Sequence, residues 1–272
     1  MRLYFSGVND RKTYRMLAEA GVRYILVDQF DLKNVPGARP NVALDSGAYR
    51  AWKKNWTLDR DFYAETVAEA GREFDFVVNL DVFGDEATSR DNWNYLRWER
   101  RVPGLIPVWH WSAEADERVL EHYLLMSEVV GLGGLVPHMR DKNRDMLECI
   151  KLACRMYPRR FHVFGLNWLE ALHELKDLLW SADTSKWLDG ARYRHLISYS
   201  EDHRQLVQTT DGRGREALCI ENARNMEAYV SGLATPLQVE RDHTLVAPKR
   251  RPYVLRRANT ATPRRDKDVL SR

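Results

Sequence analysis

The sequence predicts an α/β protein, a (β/α)₈ TIM barrel with a basic C-terminal extension. Two observations carry the barrel. Eight short apolar runs recur along the 272 residues, most of them followed by a loop and an amphipathic stretch. The runs are rich in β-branched and aromatic residues, as strands covered on both faces are. The length suits one such barrel. An open doubly wound sheet, built from the same units, is the second architecture.

The strand candidates are RLYFSG from Arg2, YILVDQ from Tyr24, NVALDS from Asn41, DFVVNLD from Asp75, LIPVWHW from Leu105, GLGGLVP from Gly131, FHVFGL from Phe161 and LLWSADT from Leu178. Helical periodicity is expected over Asp10–Ala20, Asp59–Phe74, Glu86–Arg101, Glu114–Val130, Asn143–Tyr157 and Leu169–Leu179, with a closing helix over Asn222–Leu233. Thr57-Leu-Asp-Arg reads as a cap before the Phe62, Val67 stripe, and Asn143 as a cap before Met146, Ile150 and Cys154. The link DLKNVPGARP has no helical pattern and reads as a loop. Residues 1–235 are assigned to the barrel and 236–272 to the extension.

Composition excludes several classes. Hydrophobic residues make up 44% of the chain, enough for a large core. No run approaches the roughly 18–20 apolar residues of a membrane span, and MRLYFSGVND lacks a secretory apolar region. No membrane partner and a cytoplasmic location are therefore expected, the host's cytoplasm if the chain is viral. Cys149, Cys154 and Cys219 are too few for a disulfide framework and wrongly spaced for a zinc knuckle, so no metal site is assigned. The net charge of +3 is unevenly placed. From Lys249 to Arg272 nine Lys and Arg face two Asp, while the rest holds 33 basic and 37 acidic groups. A basic tail on a near-neutral body suits a polyanion, or is simply a solvated terminus.

In either architecture chemistry sits at the C-terminal ends of the strands. Those ends read Asp45-Ser46-Gly47, Asn79-Leu80-Asp81, Trp109-His110-Trp111, Gly133-Gly134 and Asp183-Thr184-Ser185. Any one Asp could merely cap the following helix. Three carboxylates ending apolar strands point instead to a shared site, because a charge there must be paired or used.

Four segments, in order, resemble the tRNA-guanine transglycosylase superfamily. LDSGAYRAW at Leu44–Trp52 is similar to its DSGG(F/Y)Q motif. FDFVVNLDVFGDEATSRDNW at Phe74–Trp93 is similar to the strand ending in a guanine-reading Asp. GLGGL at Gly131–Leu135 resembles its GGL turn, and SADTSKWLDGARY at Ser181–Tyr193 stands where the nucleophilic Asp lies. Three departures accompany these matches. The tRNA enzymes carry a C-x-C-x₂-C…His zinc subdomain, whereas only Cys219 follows Asp183 here. Ala48 and Arg50 replace the second Gly and the Gln of the first motif, and His110 stands where those enzymes have a base-contacting Gln. The chain thus looks most like the phage-type DNA-guanine transglycosylases called DpdA, which exchange guanine in DNA for a 7-deazaguanine.

That resemblance implies DNA and a free 7-deazaguanine base as partners and no cofactor. It implies Asp183 as nucleophile and Asp45 as acid/base, the pair that a retaining displacement at a sugar carbon requires. Asp81 would read the ring N–H and amine of guanine. Tyr49 would stack on the base, or pack in the core. Ser46 and His110 would join the base contacts, though His110 could equally be a satisfied strand-end histidine. Gly133 and Gly134 would let backbone approach the base, or form a plain turn. Arg192 is a phosphate candidate, with Trp187 in the core. Trp93, Tyr95 and Trp98 are read as packing. Lys249, Arg250, Arg251, Arg256 and Arg257 would bind nucleic-acid phosphates. The alternatives are a tRNA-guanine transglycosylase lacking the zinc module, a non-catalytic nucleic-acid-binding barrel, and a small-molecule glycoside hydrolase. The last leaves Asp81 and the tail unexplained. Oligomeric state is not assigned.

Overall fold

The structure is a computed structural model describing residues 1–111 and 116–233. Its sheet contains β1 (Arg2–Phe5), β2 (Tyr24–Asp28), β3 (Val42–Asp45), β4 (Val77–Val78), β5 (Leu105–Ile106), β6 (Val108–His110), β7 (Val130–Gly133), β8 (Phe161–Val163) and β9 (Ser181–Thr184). Their hydrogen-bonded order is β5-β4-β3-β2-β1-β9-β8-β7-β6, every pair parallel. The two ends of that order, β5 and β6, are separated in the chain only by Pro107. Pro107 has no N–H to give the ladder, and the run LIPVWHW is split there. Its carbonyl still accepts from Gly131 N at 2.8 Å. The split run therefore bonds β4 on one side and β7 on the other, and the ring closes through it. That closure excludes the open sheet.

Successive strand residues feed two cores, because side chains alternate across a strand. Tyr4, Leu26, Ala43, Val78, Ile106 and Val108 fill the barrel interior. Their neighbours Leu3, Ile25, Val42, Val77 and Trp109 face the helical shell. This two-sided burial is why the strands read as unbroken apolar runs.

The shell comprises α1 (Arg11–Ala20), α2 (Ala48–Lys54), α3 (Arg60–Glu69), α4 (Glu86–Asn94), α5 (Glu117–Met126), α6 (Val136–Arg140), α7 (Arg144–Met156), α8 (Leu169–Leu175), α9 (Lys186–Arg192) and α10 (Arg215–Val230). The β2–β3 link holds only a 3₁₀ turn over Leu32–Asn34, in line with the loop expected there. Asn143 caps α7 as expected, its side chain accepting from Met146 N at 3.0 Å. On α3 the cap is Asp59 rather than Thr57, which turns Tyr63, Ala64 and Val67 inward and leaves Phe62 exposed. The expected helix over Glu86–Arg101 ends in a π turn at Tyr95–Glu99. Trp93 packs in the core there, whereas Trp98 is exposed.

Sequence reading missed α2, α6, α9 and an antiparallel hairpin of β10 (His195–Ser200) and β11 (Gln205–Thr210). It also began α10 seven residues late. The hairpin is fastened by the fully buried Asn222 of α10. Its Oδ1 accepts from Ile197 N at 2.7 Å, and its Nδ2 donates to the carbonyls of His195 at 3.0 Å and Trp187 at 3.3 Å. Trp187 is in the core, as expected, and its indole N–H donates to the Ser6 carbonyl at 3.0 Å. Among the described residues no helix is long and apolar enough to cross a membrane.

Candidate active site

The alternation that fills the barrel interior also builds its mouth. Two residues past Ala43, Val108 and Ser181 come Asp45, His110 and Asp183. Asp28 is in register with Asp45, and His110 with Gly133. These positions open on one cavity of about 240 Å³ at the C-terminal ends of the strands. Asp45, Tyr49, Asp81, His110, Gly133, Gly134 and Asp183, all singled out from the sequence, line it together.

Asp183 is almost fully buried. Its Oδ1 accepts from the Gly165 backbone N–H at 2.8 Å, which orients the carboxylate without a cation. Asn167 holds the strand end that follows. Its Oδ1 accepts from Thr184 Oγ1 at 2.8 Å and Ser185 N at 3.0 Å. Beneath the carboxylate lies the fully buried His162, with Nδ1 2.6 Å from Ser181 Oγ and Nε2 3.8 Å from Asp183 Oδ1.

Burial pushes the Asp45 carboxyl well above the usual carboxylate range, and the charges of Asp81, Asp28 and Asp183 push it the same way. The Gly47 backbone N–H opposes the shift. Such a carboxyl keeps its proton where an ordinary Asp has lost it, as a general acid must. Gly47 is needed at this bend. Its φ is +77°, and a Cβ there would lie 2.8 Å from Phe30 Cε2.

Asp81 is buried, with both oxygens engaged. Ser46 Oγ donates to Oδ1 at 3.3 Å, and His110 Nε2 lies 2.7 Å from Oδ2. Each oxygen retains a lone pair for a donor inside the cavity. The His110 ring lies against Phe83, centroids 4.8 Å apart. Its space exists because residue 133 is glycine: a Cβ there would sit 2.4 Å from His110 Cδ2 and 2.9 Å from Val108 Cγ1. Gly133 thus makes room for the histidine while also lining the cavity.

One site residue lies elsewhere than expected. Ser46 is fully buried behind Asp81 and does not line the cavity, so it supports the aspartate and cannot itself touch a base there. Arg192 lies in an adjoining cleft with Lys12 and Arg215, exposed and 3.8 Å from Asp189. Lys249, Arg250, Arg251, Arg256 and Arg257 fall outside the described residues, as does the whole 236–272 extension.

The cavity also holds groups that sequence reasoning passed over. Asp28 ends β2 as Asp45 ends β3, and the same strand-end signal would have found it. Arg50 bridges it to Asp31, with Nη2 2.9 Å from Asp28 Oδ2. Burial raises the Asp28 pKa, the Arg50 charge lowers it, and Asp31 raises it again. Phe83, Asn167 and Gly165 carried no sequence signal, because loops placed them. Cys149 is exposed, while Cys154 and Cys219 are buried. Among the described residues no three His, Cys, Asp or Glu side chains are grouped to hold a metal ion.

Set against known proteins, the chain matches no family model and no curated protein.

Proposed function

We propose that this protein is a DNA-guanine transglycosylase that exchanges guanine in DNA for a 7-deazaguanine base such as 7-cyano-7-deazaguanine. The observation that carries the reading is the meeting of Asp45, Asp81 and Asp183 in one cavity, each on the motif that the resemblance assigns to its role. Five aspartates and a single arginine line that cavity. Phosphates are repelled from such a space, while a neutral base rich in N–H donors is welcome in it.

The chemistry follows from the placement. An Asp183 carboxylate oxygen attacks C1′ of the target nucleotide, and the C1′–N9 bond breaks. Protonated Asp45 gives its proton to the departing guanine. The covalent sugar–Asp183 ester then holds the strand while guanine leaves and the 7-deazaguanine enters. Asp45, now a carboxylate, removes the N9 proton of the incoming base; N9 attacks C1′ and Asp183 departs. Two inversions retain the configuration, and no oxidant or cofactor is consumed. Asp81, steadied by Ser46 and His110, accepts from the guanine N1–H and amine in both half-reactions. Tyr49 on the cavity wall supplies a stacking face. The target must leave the duplex, or be unpaired already, to bring C1′ to Asp183.

DNA is favoured over tRNA because this sequence holds one cysteine after Asp183, short of the thiolates of the tRNA enzymes' zinc module. Incubation with labelled guanine or 7-cyano-7-deazaguanine and either single-stranded DNA, duplex DNA or tRNA, followed by nucleoside analysis, tests the reading. Label is expected in deoxynucleosides. Label in tRNA alone refutes the DNA assignment.

A further inference from the structure

We infer that α2 and the groove beside it form a stacking platform for unpaired DNA flanking the target nucleotide. The inference rests on the proposed action on DNA and decides how the strand is presented. Large aromatic side chains seldom stand exposed in a group without a partner. Here Trp52, in the last turn of α2, is 57% exposed, and Trp56, two residues past the helix, is 48% exposed. Trp52 is nearly parallel to Tyr49, at 6.0 Å and 28°, and to Phe83, at 5.2 Å and 23°. Tyr49 and Phe83 are themselves 6.0 Å apart, so the three rings form one cluster in mutual contact and do not stack in a column. Phe83 then meets His110, so the cluster continues to the partner of Asp81. Trp56 meets Phe30 at a steep angle, 71°, with centroids 5.8 Å apart.

A groove of about 390 Å³ runs along this surface, lined by Trp52, Trp56, Arg60 and Phe83. It shares Ala48, Asp81 and Phe83 with the site cavity, so a strand whose base enters the cavity has a path along it. The charge also fits. From Tyr49 to Arg60 the chain carries Arg50, Lys53, Lys54 and Arg60 against Asp59 alone; Arg50 is held by Asp28 and Asp31 and Arg60 by Asp91, so the charges beside the rings are those of Lys53 and Lys54. Lys53 Nζ lies 4.3 Å from the centre of the Tyr49 ring and Lys54 Nζ 4.3 Å from that of Trp56. Aromatic faces interleaved with cations are the surface that single strands use: bases take the rings and phosphates the ammonium groups. A duplex hides its base faces in its own stack and has nothing to lay on Trp52.

The test is binding of the full chain to a fluorescent 12-nucleotide DNA, single-stranded or paired with its complement, at several salt concentrations. The single strand is expected to bind more tightly than the duplex. Trp52→Ala and Trp56→Ala should each weaken single-strand binding roughly 5- to 150-fold, the range of one base–aromatic stack. Trp56→Phe should retain most of it. The Lys53→Ala, Lys54→Ala pair should reduce the slope of log K against log salt by about 0.7 for each phosphate that is no longer neutralised. Leu152→Ala, at an exposed apolar residue on α7, should change nothing. Unaltered circular dichroism separates weakened binding from failure to fold. Duplex binding as tight as single-strand binding, or wild-type affinity in Trp56→Ala, overturns the inference. Because binding is read without turnover, tight Trp-dependent binding with no base exchange would fail the proposed activity and leave the platform standing.

Discussion

Gly133→Ala puts the proposed base-reading corner to a direct test. The added Cβ would fall 2.4 Å from His110 Cδ2, 2.9 Å from Nε2 and 2.9 Å from Val108 Cγ1. Gly133 has ordinary φ, so the backbone accepts alanine and the whole effect is steric. Val108 is packed in the barrel interior and His110 is held between Phe83 and Asp81, so neither can simply step aside. Overpacking of this kind costs about 1–3 kcal/mol. If the ring swings away it also forfeits its 2.7 Å bond to Asp81, and a hydrogen bond to a charged group is worth about 1.5–3 kcal/mol. Urea unfolding should show a loss of about 1–3 kcal/mol. Exchange assays should show a larger relative loss for guanine capture than for folding. In a His110→Ala background the clash is gone, so Gly133→Ala should there cost far less, a coupling that a double-mutant cycle measures. Equal costs in both backgrounds would refute the idea that Gly133 exists to house the histidine.

Asp45→Asn should abolish exchange yet stabilise the protein. The folded state holds the Asp45 proton above the usual value of 3.8, whereas the unfolded chain releases it near there. Between those two points the folded state binds more protons, so this group's contribution makes stability fall as pH rises. The Asn variant lacks that contribution; its advantage over wild type in urea unfolding should grow from acidic to neutral pH, and equal slopes would contradict the raised pKa. Asn222→Ala leaves the buried Ile197 N–H without its acceptor, at a cost of about 1–3 kcal/mol, and removes the donor to the His195 and Trp187 carbonyls; thermal unfolding should shift sharply, and an unchanged midpoint would show that the hairpin does not depend on this residue. Truncation after Ala247 should weaken DNA binding and flatten its salt slope while the barrel's melting stays as it was; an unchanged slope would remove the tail from the phosphate contacts.

The barrel was legible because both faces of its strands are buried, which writes each as an apolar run whatever its register. The site was legible for a related reason: a carboxylate ending such a run stands out, and Asp45, Asp81 and Asp183 meet in one cavity. Legibility failed where tertiary contacts override local pattern. Nothing local marks α2 as a helix, since Gly47 and the packing of Phe30 set its start. Phe62 looked apolar-stripe in sequence, but the Asp59 cap turns the helix so that Tyr63 goes inward. Ser46 was placed beside the base by motif, whereas the structure puts it behind Asp81; that Gly133 also makes room for His110 carried no sequence signal. Asp28 lay inside the expected strand YILVDQ and was passed over although it ends that strand as Asp45 ends the next, with which it is in register.

The most direct test of the account is covalent trapping. The full-length protein is incubated with end-labelled, guanine-containing single-stranded DNA, denatured, and digested, and the DNA-bearing peptide is identified by mass spectrometry. An adduct on the peptide containing Asp183 is predicted, absent in Asp183→Asn and Asp183→Ala and discharged from the wild type by added guanine. An adduct mapping to another residue, or full base exchange by Asp183→Ala, would contradict it.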